Sequence, residues 1–204
     1  MNKIVLCMDN GSSCLEEIKQ YLGRHDCKVY TLPEGQDIRK MTEQIDQEEG
    51  RLDILLLSIS EQIPQDGAIG EKHDCGMLLE AVSRQINRTQ EVIDAALPLL
   101  RRDGLKRIGM ITKKASSISY CEEDSNYGRH MVWAGLNMMG KLYFNLLRPE
   151  GFTFRWYLAE EKSGGMSAGE YLLSSLCYDA KEPYIHSDEN RLVMRDAYLR
   201  ETAW

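Results

Sequence analysis

The sequence predicts an α/β protein, a Rossmann-like three-layer α/β/α arrangement on a parallel sheet. Three observations predict it. Strand-like and helix-like periods alternate along the 204 residues. The run Asp53-Ile54-Leu55-Leu56-Leu57-Ser58 is apolar without alternation, as in a strand covered on both faces. No repeat, low-complexity segment or linker interrupts the pattern, so residues 1–204 read as a single domain. Alternating βα units of this kind require right-handed crossovers with helices on both sides of the sheet.

The elements follow in order. A first strand over 3–8 leads into a helix over 13–22, whose start, Ser13-Cys14-Leu15-Glu16, reads as a capping box. A second strand covers 28–32. Pro33-Glu34-Gly35-Gln36 then leads directly to a helix over 37–48, with Asp37 as its N-cap and Ile38, Met41 and Ile45 on one face. Strands follow at 53–58, 107–112 and 153–156, with a weaker one at 192–195; helices follow at 76–101, 126–148 and 167–177. The four residues after the second strand are too few for a parallel crossover, which takes at least about 10–12. The expected sheet therefore has six strands in the order 2-1-3-4-5-6, with the second strand at an exposed edge.

Composition narrows the function classes. A charged fraction of 28% and a net charge of −7 argue against nonspecific nucleic-acid binding. No apolar run is long enough to span a bilayer. Lys3 passes straight into Ile4-Val5-Leu6 without the pattern of a signal peptide, which makes a cytoplasmic location the expectation. The cysteines at 7, 14, 27, 75, 121 and 177 form no Cys-x-x-Cys pair and stand at no zinc-finger spacing to histidine. They read as free thiols, and no metal is expected.

Residues 127–138, Tyr-Gly-Arg-His-Met-Val-Trp-Ala-Gly-Leu-Asn-Met, carry the most specific signal. The run Ala134-Gly135-Leu136-Asn137-Met138 resembles the active-site helix of the short-chain dehydrogenase/reductase family, where a Tyr-x-x-x-Lys pair precedes the same small-small-Leu-Asn-Met register. Framework stretches at Arg51–Leu55, Leu97–Leu100 and 192–196 are similar to that family too. The resemblance implies a sheet from which one βα unit is deleted after the second strand, leaving open the edge that would wall in cofactor adenosine. It also implies that the chemistry is lost. The Tyr position holds Arg129 and the Lys position Trp133. Arg129 stays protonated and has no acceptor, and Trp133 offers one uncharged N–H. Tyr127 is two residues early, roughly 200° away around a helix.

The family's phosphate-binding glycines map to Asn10, Cys14 and Glu16, and Gly11 falls at a non-motif position. A Glu16 carboxylate at the helix start would stand in for the ligand's anion. The Asn-Asn-Ala-Gly segment maps to Leu57-Ser58-Ile59-Ser60, placing Ser58 in the cofactor set, and Asp37 matches the acid near adenine. The central-helix Asn maps to Gln85, with Asn87 two residues away. Lys113 stands best at the catalytic Ser position, with Ser116 and Ser117 as alternatives, and the Pro-Gly after the sixth family strand becomes Ala159-Glu160-Glu161.

The leading expectation is a catalytically inactive short-chain dehydrogenase-like protein, without cofactor, acting through binding or homo-oligomer assembly. The alternatives are a divergent NAD(P)-dependent oxidoreductase, or a receptor for a small anionic or aromatic ligand using Lys113, Arg129, His130 and Trp133. Apolar residues circle the 126–148 helix, and the resemblance makes a homodimer through helices 76–101 and 126–148 the expected assembly. No membrane and no nucleic-acid partner are expected.

Overall fold

A computed structural model describes residues 2–12, 14–60, 63, 67–71, 75–102, 104–159, 164–174, 176–178 and 185–204. Strands β1 (Lys3–Met8), β2 (Cys27–Leu32), β3 (Ile54–Ser58), β4 (Arg107–Thr112) and β5 (Thr153–Leu158) alternate with helices α1 (Leu15–Arg24), α2 (Ile38–Glu49), α3 (Cys75–Val82), α4 (Arg88–Leu100) and α5 (Tyr127–Leu147). After β5 come α6 (Ala168–Leu173), a hairpin of β6 (Leu176–Tyr178) and β7 (Ile185–Ser187), and short strands β8 (Met194–Arg195) and β9 (Glu201–Thr202). The sheet runs β2-β1-β3-β4-β5-β8-β9. All pairings are parallel except the last. Helices α2, α4 and α5 cover one face and α1 and α6 the other, each over its own apolar layer.

The predicted parallel order holds, with β8 as the sixth strand, but the sheet has seven strands and not six. The seventh exists because the chain reverses after β8. Asp196 Oδ1 accepts from the backbone N–H of Tyr198 and of Arg200, both at 2.9 Å, and Leu199 adopts φ 60°. That turn lays β9 antiparallel on β8.

Two helices also differ from expectation. The helix expected over 76–101 contains a π-helical turn, Ser83–Asn87, between α3 and α4. The helix expected over 167–177 ends at Leu173, because Ser174 is already extended (ψ 150°) and the chain enters β6.

Three arginines lie buried on the α6 side of the sheet, one each on β4, β5 and β8: Arg107, Arg155 and Arg195. Arg195 forks onto Asp188 at 3.0 and 3.1 Å, and Tyr171 donates to the same carboxylate at 2.8 Å. Arg107 and Arg155 share Glu189 Oε1 at 2.7 and 2.6 Å and also donate to the last carbonyls of α6. Burial, with the Arg155 guanidinium close by, pulls the Arg107 pKa down to about 10. Paired and hydrogen-bonded in this way, the buried charges tie β4, β5 and α6 to residues 188–195.

Candidate functional site

In an open α/β sheet the binding crevice lies beyond the carboxyl ends of the strands, where the order reverses. Here that point is the gap between β1 and β3. The turn after β1 closes with Gly11 N–H on Asp9 Oδ1 at 3.1 Å and with Gly11 at φ 74°, which gives this glycine a backbone role that the motif alignment missed. Asn10, 4% exposed, spans the gap and donates from Nδ2 to Ser58 O at 2.8 Å. The Ser58 hydroxyl in turn leans toward Met8 O at 3.4 Å.

The capping box at the start of the first helix is corrected. Helix α1 begins at Leu15, and Cys14 is its N-cap without a side-chain cap bond. Cys14 Sγ instead lies 3.1 Å from Ser12 Oγ. Glu16 thereby falls at the second helical position, too early to reach back, and its carboxylate pairs forward with Lys19 at 2.7 Å. Ser13 itself lies outside the described residues, as do Glu160 and Glu161. Asp37 caps α2 as predicted, accepting from Arg39 N–H at 2.9 Å.

On the other side of β3, Trp133 is 4% exposed and donates from Nε1 to Ser60 O at 3.0 Å. The Arg129 guanidinium stacks over its ring at 5.6 Å and donates to Ile63 O at 3.2 Å. The His130 ring meets Trp133 edge-on and bonds Ala115 O at 2.9 Å and Glu123 Oε2 at 3.2 Å. The structure thus brings Arg129, His130 and Trp133 together as a packed group, with the indole buried on Ser60 O. Lys113 leaves β4 in extended conformation, and its carbonyl accepts from the Ser116 hydroxyl at 2.7 Å. Lys113 stands at the end of β4, and the cleft expected on these four residues also borders positions 61, 62 and 64–66, which lie outside the described residues.

Both alternative serines are engaged. Ser116 Oγ lies 2.6 Å from Thr112 Oγ1 and accepts from Asn137 Nδ2 at 3.0 Å, while Asn137 Oδ1 accepts from Trp156 Nε1 at 3.2 Å. All four residues are buried. Ser117 donates to Ala203 O at 2.8 Å, a tie to the C-terminal strand that sequence alone gives no sign of. Gln85, the residue matched to the central-helix Asn, sits inside the π-helical turn and accepts from Ser60 N–H at 3.1 Å. Asn87 lines a cavity of about 390 Å³ at the ends of β1 and β2, together with Asn10 and Gln85. Among the described residues, no group of three or more His, Cys, Asp or Glu is placed to hold a metal ion.

Solved structures match this architecture. A short-chain alcohol dehydrogenase, so named, of Burkholderia multivorans aligns over 100% of both chains with TM-score 0.72 and 15% identity. The fold is that of the short-chain dehydrogenases. RhlG of Pseudomonas aeruginosa, solved as an NADP active-site complex, aligns over 76% of this chain and 71% of its own with TM-score 0.63 and 17% identity. A short-chain dehydrogenase of Streptomyces avermitilis aligns over 78% of this chain with TM-score 0.62 and 14% identity, and the chain spans 65% of that protein. No family model matches the sequence, and neither does any curated protein. At these identities the short-chain dehydrogenase likeness is one of fold, and the site must be read from its own residues.

Proposed function

We propose that this chain is a short-chain dehydrogenase-fold protein without dehydrogenase chemistry, acting through binding or homo-oligomer assembly. The observation that carries the proposal is Trp133. Its indole is buried on Ser60 O with Arg129 stacked against it, on the segment where the resemblance puts the cofactor-side Lys. A proton relay there needs a group that both gives and takes a proton, and neither indole nor guanidinium does so at working pH. The cofactor side supports the same reading. Asn10 spans the opening that the family's glycine leaves for pyrophosphate, and the acidic pair Glu16 and Glu17 occupies the first turn of α1. Carboxylates at a helix N-terminus repel a phosphate. The residues present do not fit a dinucleotide.

Thermal denaturation with NAD(H) and NADP(H) tests this. A cofactor at one hundred times its dissociation constant adds about 2.7 kcal/mol. The expected result is no rise in melting temperature and no oxidation of NADPH with carbonyl substrates. A clear rise would sink the proposal and favour the divergent NAD(P)-dependent oxidoreductase.

Assembly is proposed through α5 and the α3–α4 segment. Met131, Met138, Leu142 and Leu146 follow one another along α5 at spacings of seven and four, and all are exposed, as is Leu79 on α3. Such a stripe is costly in water. A two-fold dimer covers it, and Leu142→Glu is expected to shift the sedimenting species to monomer. A wild-type monomer at micromolar concentration would refute the dimer. A cytoplasmic setting goes with this reading: five cysteines, at 7, 14, 27, 75 and 121, are free, and no helix among the described residues is long and apolar enough to cross a membrane.

A further inference from the structure

The two carboxamides beside the β1–β3 gap are each fixed at one end only. Asn10 must present Nδ2 to the Ser58 carbonyl, and Gln85 must present Oε1 to the Ser60 N–H, so the hydrogen-bond partners set which way both amides point. Ser58 and Ser60 stand at and just beyond the carboxyl end of β3, so both amides are held at the same strand end. The remaining atoms, Asn10 Oδ1 and Gln85 Nε2, have no hydrogen-bond partner among the described residues. Both residues are at least 95% buried, at 4% and 5% exposure, and both line the cavity of about 390 Å³. The π-helical turn over Ser83–Asn87 carries Gln85 at its centre, a local distortion frequent at functional sites.

We infer that this cavity binds a small uncharged heterocycle through an amide edge, its N–H donating to Asn10 Oδ1 and its C=O accepting from Gln85 Nε2. One acceptor and one donor lining the same cavity complement a cis amide such as a lactam. Met8, Leu32 and Pro33 supply an apolar wall for the flat ring. The rim carries both signs of charge. Arg84 is paired with Glu80 at 2.6 Å and Arg88 with Glu91 at 3.6 Å, and Glu34 adds a further carboxylate to the lining. With Arg84 and Arg88 balanced by Glu34 and Glu91 in the lining, the site has no net charge to favour an ion over a neutral ring. It goes beyond the preceding reading but shares its ground on the cofactor side: binding of NADPH would overturn both, whereas failure of the pyridone to bind overturns this inference alone.

The probes are α-pyridone and N-methyl-α-pyridone, followed by ligand-observed NMR and calorimetry on the wild-type chain. The expected result is binding of α-pyridone and at least about tenfold weaker binding of the N-methyl compound, which lacks the donor. The variant Gln85→Glu keeps the oxygen that accepts from Ser60 and turns the cavity-facing donor into an acceptor. It is expected to weaken α-pyridone by at least about tenfold and, because it buries a carboxylate, to melt below the wild type. Equal binding of the two pyridones, binding of neither, or preferential binding of AMP overturns the inference. The pyridone comparison decides the matter even if the variant fails to fold.

Discussion

Replacing Trp133 with alanine tests whether the indole fills the cleft. The side chain is 4% exposed, and truncating a buried aromatic of this kind costs about 3–5 kcal/mol in lost transfer energy and residual cavity. The Nε1 bond to Ser60 O adds about 1 kcal/mol, and the stacked Arg129 about 0.5–1 kcal/mol. These shares overlap, so the cavity figure stands as the estimate for the whole change. A domain of this size has about 5–15 kcal/mol of stability, so the loss is a large fraction of it. At about 2–4 °C per kcal/mol the melting temperature falls by about 6–20 °C. Urea denaturation followed by circular dichroism gives the free energy directly. Trp133→Phe separates the contributions: it keeps most of the ring and leaves Ser60 O without its donor, for an expected cost of about 1–3 kcal/mol. A Trp133→Ala variant within about 1 kcal/mol of wild type would refute the packing argument, since only an already open cleft could absorb the change.

Four further perturbations follow from the same structure. Asp188→Asn removes the carboxylate under Arg195 and should destabilise by about 3–5 kcal/mol in urea titration, because it strands a buried guanidinium; a change below about 1 kcal/mol would show that the charge is solvated. Hydrogen bonds from Tyr30, then Gln44 and Lys28, hold the Glu48 carboxyl down from 4.5 to about 2, so its contribution is complete above pH 4.5 and is lost as pH falls toward about 2. Acid titration of Glu48→Gln should therefore show a shallower stability loss in that window, and an unchanged slope would remove the network from the account. A Cβ on Gly140 would lie 2.1 Å from Trp156 Cζ2, so Gly140→Ala should cost about 1–3 kcal/mol by overpacking. Gly23→Ala meets nothing within 4 Å in α1 and should raise the melting temperature.

The parallel sheet order was legible because each of its first five strands is at least five residues long and bounded by turn residues. The short connection at Pro33-Glu34-Gly35-Gln36 sufficed to place β2 at the edge. Strand β9 was not legible: two residues, Glu201 and Thr202, carry no period, and they pair only because Asp196 folds the turn back. The π-helical turn was hidden for a related reason, since a single extra residue in a long helix barely disturbs its apolar spacing. At the site, the sequence brought Arg129, His130 and Trp133 onto one helix but could not say that the indole turns inward to Ser60. Nor could it show that Asn10 and Gln85, matched to lost motif positions, point their free amide ends into one cavity. Those facts depend on contacts across 25 to 73 residues of chain.

The buried arginines bear on how this chain emerges and folds. Arg107 finds Glu189 across 82 residues and Arg155 finds it across 34. A nascent chain that has released β4 and β5 but not residues 188–189 carries two cations in what must become an apolar layer, and desolvating them without a counter-charge is prohibitive. Closing the α6 face over these cations therefore requires residues 188–189, whereas the α2–α4–α5 face holds none of these charges. A chain cut before residue 188 is expected to leave the α6 face unclosed and open to limited proteolysis.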